Sequence, residues 1–501
     1  MSLNRAIRIG SRKSDLARLQ AMLVGDLLRK RGHSVEFIFK EAPGDINLSN
    51  PLWQMPEVGV FTSFLHEYLL KDEVDVVVHS WKDLPIDPHP GAEVVASLPR
   101  EDSRDLLLVR KDVTDRKNLV VLTSSPRRQH NLKDFLSHAV PGVSSVEFKD
   151  VRGNIQTRMN KLCDPKRQEG ANALIVAKAA VDRFLSAEHS DFQVARETVR
   201  NTLNSCQWAV LPLSVNPTAA AQGALALEIS SSAGAELRNA ITALNDAETF
   251  NACTLERETL KKYGGGCHQK IGCSVLNRKY GNIFSVRGLQ PDGVAIDDFK
   301  ILTPPLRLNV APGKIGSVGG KSGVQWFSRE NLEASINLSN STGLFVAKAD
   351  ALPNMPVPLD VAVWTAGVDS WLRLAARGIW VNGCSDRLGE GEGFGIDLID
   401  KPRSWIKVTH DKTVGDSWME IVPTYRLVER DDAVIPKEWT HVYWASGSAF
   451  EAAVARDLEI SSRVTHGCGP GHTFDALAKK IPREKIILAL SFEEFRKKCS
   501  S

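Results

Sequence analysis

The sequence predicts a mixed α/β chain, with repeated strand-then-helix units followed by a compositionally distinct C-terminal module. Three observations carry this. Short β-branched runs alternate with helical stretches through roughly the first 230 residues. The ends of those strands turn abruptly into Ser, Thr, Gly and Arg, which suits strand-to-helix junctions better than hairpin turns. Eight of the eleven tryptophans (326, 364, 371, 380, 405, 418, 439 and 444) lie in the last 176 residues, a contrast that argues for a separate module. At 501 residues the chain has room for about three domains and can bury a large core without staples.

Composition narrows the function classes. Apolar residues make up 43% and charged residues 25%, as in ordinary globular proteins. Lys and Arg total 63 against 60 Asp and Glu, for a net charge of +3. Such balance argues against a nucleic-acid partner, which calls for a basic domain or stripe. The start, MSLNRAIRIG, has no apolar signal core, and no run of 18 apolar residues occurs, so a cytoplasmic chain with no membrane partner is expected. Eight cysteines without a CxxC pair indicate neither a zinc ribbon nor a disulfide framework.

In chain order, residues 7–9 read as a strand and residues 15–31 as a helix, with Leu16, Leu19, Leu23, Leu27 and Leu28 on its apolar face. Ser11 or Ser14 can cap that helix, and Arg12 projects near its N-terminus, where free N–H groups also favour an anion. Residues 35–39 form the next strand. Residues 41–60 are polar and irregular, and a loop of that length is functional or disordered. A helix over 61–70 leads to Val76–Val78, a run that reads as a buried parallel strand. Its end is polar: His79, Ser80, Lys82, Asp83, then Pro85. Ligands of open α/β sheets sit beyond such strand ends. Lys82 and Asp83 together can hold an anion and steady a cation, or simply pair with each other.

Residues 92–97 are a strand, and the charged stretch 99–105 crosses into a second unit. That unit repeats the device. Residues 120–122 lead through Thr123, Ser124 and Ser125 into a helix opened by Pro126, Arg127 and Arg128, and Pro after a Ser cap is a strong start signal. A strand over 146–151 runs into Arg152, Gly153 and a helix with Arg158; the strand 173–177 precedes a helix with Arg183. Arginines at helix starts also serve as plain surface caps. Their recurrence beside Ser, Thr and Gly, together with Lys82, points instead to a cleft for a ligand with many negative groups, and arginine's planar fork suits carboxylate.

Residues 206–215 are a returning strand or a crossover, and the small-residue run 217–229 suits tight packing at a junction. Helices over 237–244 and 247–262 precede Gly264-Gly265-Gly266-Cys267-His268. The glycines allow close backbone approach. Cys267 there is either an accessible thiol, with His268 to help deprotonate it, or a small buried residue. Strands over 271–275, 284–289 and 297–302 make this third region α+β. Residues 303–325 read as a linker. GGKSG (319–323) fails as a phosphate loop, because Ile315 stands where the first glycine belongs and no strand precedes it. The C-terminal stretch again alternates strands and helices.

Several stretches together resemble the porphobilinogen deaminase (hydroxymethylbilane synthase) family: IGSRKSDLA (9–17), DVVVHSWKDLP (75–85), REDSRD (100–105), TSSPRRQ (123–129), VRGNIQTR (151–158), AQGALALEI (221–229) and GGGCHQKIG (264–272). The resemblance covers about the first 300 residues. It implies two doubly wound, periplasmic-binding-protein-like domains (1–103 with 205–226, and 104–204) and an α+β cofactor-carrying domain (227–305). It implies a covalent dipyrromethane cofactor on Cys267, porphobilinogen as substrate, and four head-to-tail condensations with loss of ammonia. Asp83 is then the catalytic group. Lys82, Asp83, Ser125, Arg127 and Arg128 hold the cofactor, while Arg12, Ser14, Thr123, Ser124, Arg152, Gly153, Arg158 and Arg183 hold substrate. No metal is implied, and a monomer is expected. One rival reading is a bifunctional enzyme that also cyclises hydroxymethylbilane to uroporphyrinogen III; another is a non-enzymatic carboxylate-binding protein, against which the absent signal core and the GGGC loop speak.

The chain departs from the family at Ala42-Pro43, Val58, Ser63-Phe64-Leu65-His66 and Ala221, where a threonine-arginine pair, a lysine, a charged stretch and a glycine are common. After a linker or irregular segment at 306–339, residues 340–501 resemble uroporphyrinogen-III synthase. LAARGIWVNGCSDRLGE (374–390), TYRLVER (424–430), YWASGSAFEAA (443–453) and HGCGPGHTFDAL (466–477) carry that likeness, and the synthase's first part looks missing or worn down.

Overall fold

The computed structural model describes residues 5–41, 62–113, 117–164, 170–265, 269–304, 306, 308–320, 323–390, 393–413 and 418–500. The expected long loop, with the departures at Ala42-Pro43 and Val58, lies outside them, as do Gly266, Cys267 and His268.

Two five-stranded mixed sheets follow one plan. In the first, β1 (Ile7–Arg12), β2 (Val35–Lys40) and β3 (Val76–Ser80) run parallel in the order β2-β1-β3. The sheet is finished by β4 (Ala92–Ala96) and by β10 (Leu225–Ser230), which inserts antiparallel between β3 and β4. Val76, Val77 and Val78 are all buried, as a strand covered on both faces requires. The second sheet has the order β7-β6-β8-β5-β9, from β5 (Asp105–Arg110), β6 (Asn118–Leu122), β7 (Ser145–Lys149), β8 (Ala173–Ala177) and β9 (Cys206–Val210). Here β7, β6 and β8 are parallel, while β5 is antiparallel to both its neighbours. The chain thus crosses between the sheets twice, at residues 97–104 and 211–224.

The first helix, α1 (Asp15–Lys30), buries Ala17, Leu19, Ala21, Val24 and Leu28. Leu23 does not join that face and is 39% exposed; the buried face carries Ala21 and Gly25 instead, and a Cβ on Gly25 would meet Phe37 Cζ at 2.5 Å. Neither serine caps it through its side chain. Ser14 occupies the N-cap without a side-chain cap bond, and the Ser11 hydroxyl donates to the carbonyls of Arg12 and Ala17. The helix α2 (Ser63–Leu70) includes the departing residues Ser63 to His66 and precedes β3. The second unit follows expectation: the Ser125 hydroxyl caps α3 (Pro126–Ala139) by accepting from the Arg128 N–H. Next come α4 (Ile155–Cys163), capped by Asn154, and α5 (Lys178–Leu185). The third region has α6 (Ala247–Lys262), capped by Asp246, packed on the antiparallel sheet of β11 (Gly272–Leu276), β12 (Ile283–Leu289) and β13 (Ala295–Ile301).

The linker reading is overturned. Strands β14 (Ile315–Val318) and β15 (Phe327–Asn331) fall inside it and belong to the C-terminal sheets. Four buried residues in β14 pair parallel with β21 (His441–Trp444), and β15 pairs antiparallel with β20 (Met419–Glu429). The Pro and Gly content marks turns around these strands, not a tether. A strand therefore does precede Gly319, so the phosphate-loop reading fails on spacing alone; Lys321 and Ser322 lie outside the described residues. Two C-terminal sheets result. One is parallel, in the order β14-β21-β22-β23, with β22 (Thr465–Cys468) and β23 (Ile486–Leu488). The other has the order β15-β20-β19-β16-β17-β18, adding β16 (Thr342–Val346), β17 (Ala362–Thr365), β18 (Gly383–Cys384) and β19 (Ser404–His410).

The C-terminal tryptophans do not mark a detached module. Four of the eight weld it to the second sheet, while Trp326, Trp439 and Trp444 pack inside the module. Trp371 and Trp380 share one apolar cluster with Leu107, Val121, Leu136 and Ile175, and Trp364 and Trp405 share another with Leu108, Val120 and Phe184. The indole N–H of Trp371 donates to the Ala139 carbonyl and that of Trp380 to the Trp208 carbonyl, both at 3.0 Å. Buried tryptophans need such partners for their one polar atom. Among the described residues no helix is long and apolar enough to cross a membrane.

Candidate active site

The site grows from the end of β3. A single 3-10 turn, Trp81–Asp83, follows it, and Trp81 is buried against Phe250 with ring centroids 5.2 Å apart. That anchor leaves Lys82 and Asp83 half-buried. Arg257, on α6, fastens the turn by donating to the carbonyls of Trp81, Leu84, Pro85 and Ile86. Arg12, at the end of β1, brings Nη2 within 3.4 Å of Asp83 Oδ2. Parallel pairing of β1 with β3 puts these two strand ends side by side.

Lys82 Nζ donates to Gln222 Oε1 at 3.1 Å, and Gln222 Nε2 donates to Asp105 Oδ1 at 2.8 Å. Asp105 opens β5 and is fully buried. Its carboxylate accepts from Arg127 Nη2 at 2.9 Å, from Arg128 Nε at 2.9 Å and Nη2 at 2.6 Å, and from Asn216 Nδ2 at 2.9 Å. Arg127 also donates to Asn216 Oδ1 and to the Pro217 carbonyl. The two arginines are thus held rigidly by one carboxylate and keep a net positive charge. Asp105 is driven far below the usual carboxylate range: burial opposes ionisation, but Arg128 and Arg127 outweigh it. Lys82 is pulled down to about 8 by burial, reinforced by Arg128 and Arg127 and resisted by Asp83 and Asp105.

The second unit supplies the opposite wall. Arg158 Nε donates to the Gly153 carbonyl at 2.8 Å. Burial lowers Arg158 to about 10; neighbouring Arg128 and Arg152 add to this and Asp83 opposes it, so all three charges lie near Arg158. Burial also lowers Arg152. Gly153 has φ of +109°, and a Cβ there would meet Thr157 Cγ2 at 2.6 Å, so the turn requires glycine. Ser124 Oγ donates to the Val151 carbonyl at 2.9 Å and accepts from the Val151 N–H at 2.8 Å, tying the two strand ends together. Thr123 is buried and its hydroxyl accepts from the Ser125 N–H. Arg183 stands apart from this group. It is buried, and Nη2 donates to the Gly223 carbonyl in the returning crossover at 2.6 Å.

The structure therefore brings Arg12, Lys82, Asp83, Arg127, Arg128, Arg152 and Arg158 to facing strand ends. Thr123, Ser124 and Ser125 serve the backbone of that site, and Ser14 caps nothing with its side chain. Cys267 lies outside the described residues, but its flanks are described. Gly265 lies against Ile86, three residues past Asp83, and a Cβ on Gly272 would meet the Pro217 carbonyl oxygen at 2.0 Å and Arg127 Cδ at 2.9 Å. Both ends of the glycine-cysteine loop therefore abut the elements that carry Asp83 and Arg127.

Asp105, Gln222, Asn216 and Arg257 were not singled out from the sequence. An acid at the start of an all-apolar strand was a usable signal for Asp105, since buried charges need partners. Nothing in the sequence marks Arg257. Ala221 takes φ of +60°, a left-handed conformation that strains an L-residue by about 1–2 kcal/mol. Its N–H is held there by Glu256 Oε2 at 2.6 Å.

The family described as "Porphobilinogen deaminase, dipyromethane cofactor binding domain" matches residues 7–237. A protein of Picrophilus torridus named "Probable porphobilinogen deaminase" is 34% identical over 297 residues, covering 59% of this chain and 91% of its own. A "Porphobilinogen deaminase" of Mycobacteroides abscessus is 34% identical over 303 residues, covering 59% and 89%. One from Nostoc sp. is 32% identical over 282 residues, covering 55% and 78%.

Proposed function

Because the chain belongs to the porphobilinogen deaminase family, whose members are transferases that condense four porphobilinogen molecules head to tail into hydroxymethylbilane, we propose that Asp83 is its catalytic carboxylate. The observation that carries this is one half-buried acid among cations: Arg12 pairs with Asp83, Lys82 and Arg158 lie near it, and Arg127, Arg128 and Arg152 neighbour those two in turn. Porphobilinogen carries an acetate and a propionate, so a growing chain of pyrroles is a string of carboxylates. Guanidinium groups suit them through paired hydrogen bonds.

The residues fit a covalent dipyrromethane cofactor, which supplies the pyrrole carbon to which the first substrate is joined. Lys82, Ser125, Arg127 and Arg128 hold it, and Cys267 is its attachment point; the glycine flanks of that loop against Ile86 and Arg127 support this. Arg12, Ser14, Thr123, Ser124, Arg152, Gly153 and Arg158 form the substrate side. Arg183, fastened to Gly223, acts there through the crossover. Departure of ammonia leaves the substrate ring electron-poor. The Asp83 carboxylate would stabilise the positive charge on the pyrrole, a fixed negative charge held where positive charge develops. It then accepts and returns protons as carbon–carbon bonds form.

The two five-stranded sheets with their double crossover support a two-lobed, periplasmic-binding-protein-like arrangement, with the α+β region as a third domain. The C-terminal module starts near β14 rather than at residue 340. Its resemblance to uroporphyrinogen-III synthase is supported by a cleft between its two sheets, lined by both cations (Arg329, Lys348, Lys412) and acids (Glu390, Asp475).

Intact-mass analysis tests the assignment of Cys267. The native chain should carry an adduct of two condensed pyrrole units, and Cys267→Ser should carry none. A bare native chain that turns over porphobilinogen, or an adduct that survives in Cys267→Ser, would overturn it.

A further inference from the structure

The C-terminal module reaches the crossover that returns the chain to the first sheet. Asp386 and Arg387 are consecutive residues with positive φ, 51° and 66°. Neither is glycine, so the surroundings must hold both in a disfavoured conformation. The turn aims the buried Asp386 carboxylate at Ser214: Oδ2 accepts from the Ser214 backbone N–H at 2.9 Å, and Oδ1 accepts from its hydroxyl. Two residues on, Asn216 donates to Asp105 and accepts from Arg127, and the Pro217 carbonyl accepts from Arg127 at 2.7 Å. Four residues of crossover thus join a strained turn of the C-terminal module to the arginine pair. The same module also touches the outgoing crossover, where Arg104 Nη2 donates to the Phe394 carbonyl at 2.8 Å.

We propose that Asp386 is a positioning residue for the deaminase reaction: through Ser214 it fixes Asn216 and Pro217, which hold Arg127 against Asp105. The proposal rests on the reading that Arg127 holds carboxylates in the cleft. A fused module would then do more than add surface. It would set the geometry of the arginines from outside the two lobes, on an element that neither lobe contains.

The test is steady-state turnover of porphobilinogen by the full-length, cofactor-loaded protein. Asp386→Ala should raise KM about fivefold, the size expected when a contiguous network is disturbed away from the reacting atoms, with the cofactor adduct mass retained. Asp386→Asn keeps an acceptor for the Ser214 N–H and should recover most of the loss. Trp380→Phe removes another hydrogen bond of the same module, to the Trp208 carbonyl, and should lower the melting temperature without raising KM. A KM for Asp386→Ala within twofold of native, or an equal rise in Trp380→Phe, overturns the proposal. If Asp386→Ala does not fold, Ser214→Ala decides by the same criterion. Native turnover, native KM and an undiminished cofactor adduct in Arg127→Gln would instead remove the underlying reading of the arginine.

Discussion

Replacing Asp105 by asparagine removes one negative charge and almost no volume. In the native protein that buried carboxylate takes hydrogen bonds from Arg127, Arg128, Asn216 and Gln222. Asparagine turns one acceptor into a donor that faces other donors, and it leaves two buried guanidiniums with no counter-ion. Breaking a buried pair from one side costs about 3–5 kcal/mol. Because both arginines share one carboxylate, the loss counts once, at about 4 kcal/mol, not twice. A chain of several domains need not unfold in one step, so the reading should be local. Amide hydrogen exchange supplies it: about 4 kcal/mol corresponds to roughly a thousandfold faster exchange for the most protected amides of β5 and α3. Acceleration of less than about tenfold would refute the claim that Asp105 is what makes the arginine pair tolerable. The pH dependence has a definite sign. A carboxyl depressed by folding contributes its stability above the ordinary value near 3.9 and loses it only as pH falls through the depressed one. Lowering the pH from about 7 to 5 must therefore not mimic the variant.

Two further outcomes are expected of the same cleft. Asp83→Ala should fold normally by circular dichroism, since the Asp83 side chain is partly exposed and its ion pair with Arg12 is long, yet turnover should fall by about 10²–10³, the usual cost of losing a fixed electrostatic stabiliser; native turnover would end its catalytic role. Lys82, pulled down to about 8, should be about half neutral at that pH, against under about 1% for an ordinary lysine. Peptide mapping of the cofactor-free protein after brief acylation at pH 8 should find Lys82 modified ahead of exposed Lys279; equal or slower labelling would contradict the depressed value.

Most elements of the first 300 residues were legible because each has a local cause. Val76–Val78 is too apolar for a surface strand, and Ser125-Pro126 starts a helix whatever surrounds it. The arginines were legible as a set because each follows a strand end. What was not legible depends on distant residues. Leu23 has the right spacing for a core position, but the helix meets the sheet through Gly25 against Phe37, a contact set by a residue on strand β2. Arg183 lies in the last turn of its helix, away from the strand end, and its acceptor, the Gly223 carbonyl, comes from 40 residues away. The strand β14 has no alternation and lies amid glycines, so only its partner at His441–Trp444 identifies it. The tryptophan bias was visible, but compositional contrast cannot separate a detached module from one whose aromatic residues lie at the seam.

The placement of β10 between β3 and β4 has a consequence for synthesis. The strand leading to Asp83 lacks one neighbour, and β4 lacks any partner, until residue 230 leaves the ribosome. At about 5–20 residues per second, the 145 residues from 85 to 230 take about 7–29 s. Throughout that interval the nascent first lobe presents open backbone edges, so early release or premature termination in this window should yield aggregation-prone fragments, whereas the second lobe can close on its own strands before the first is finished.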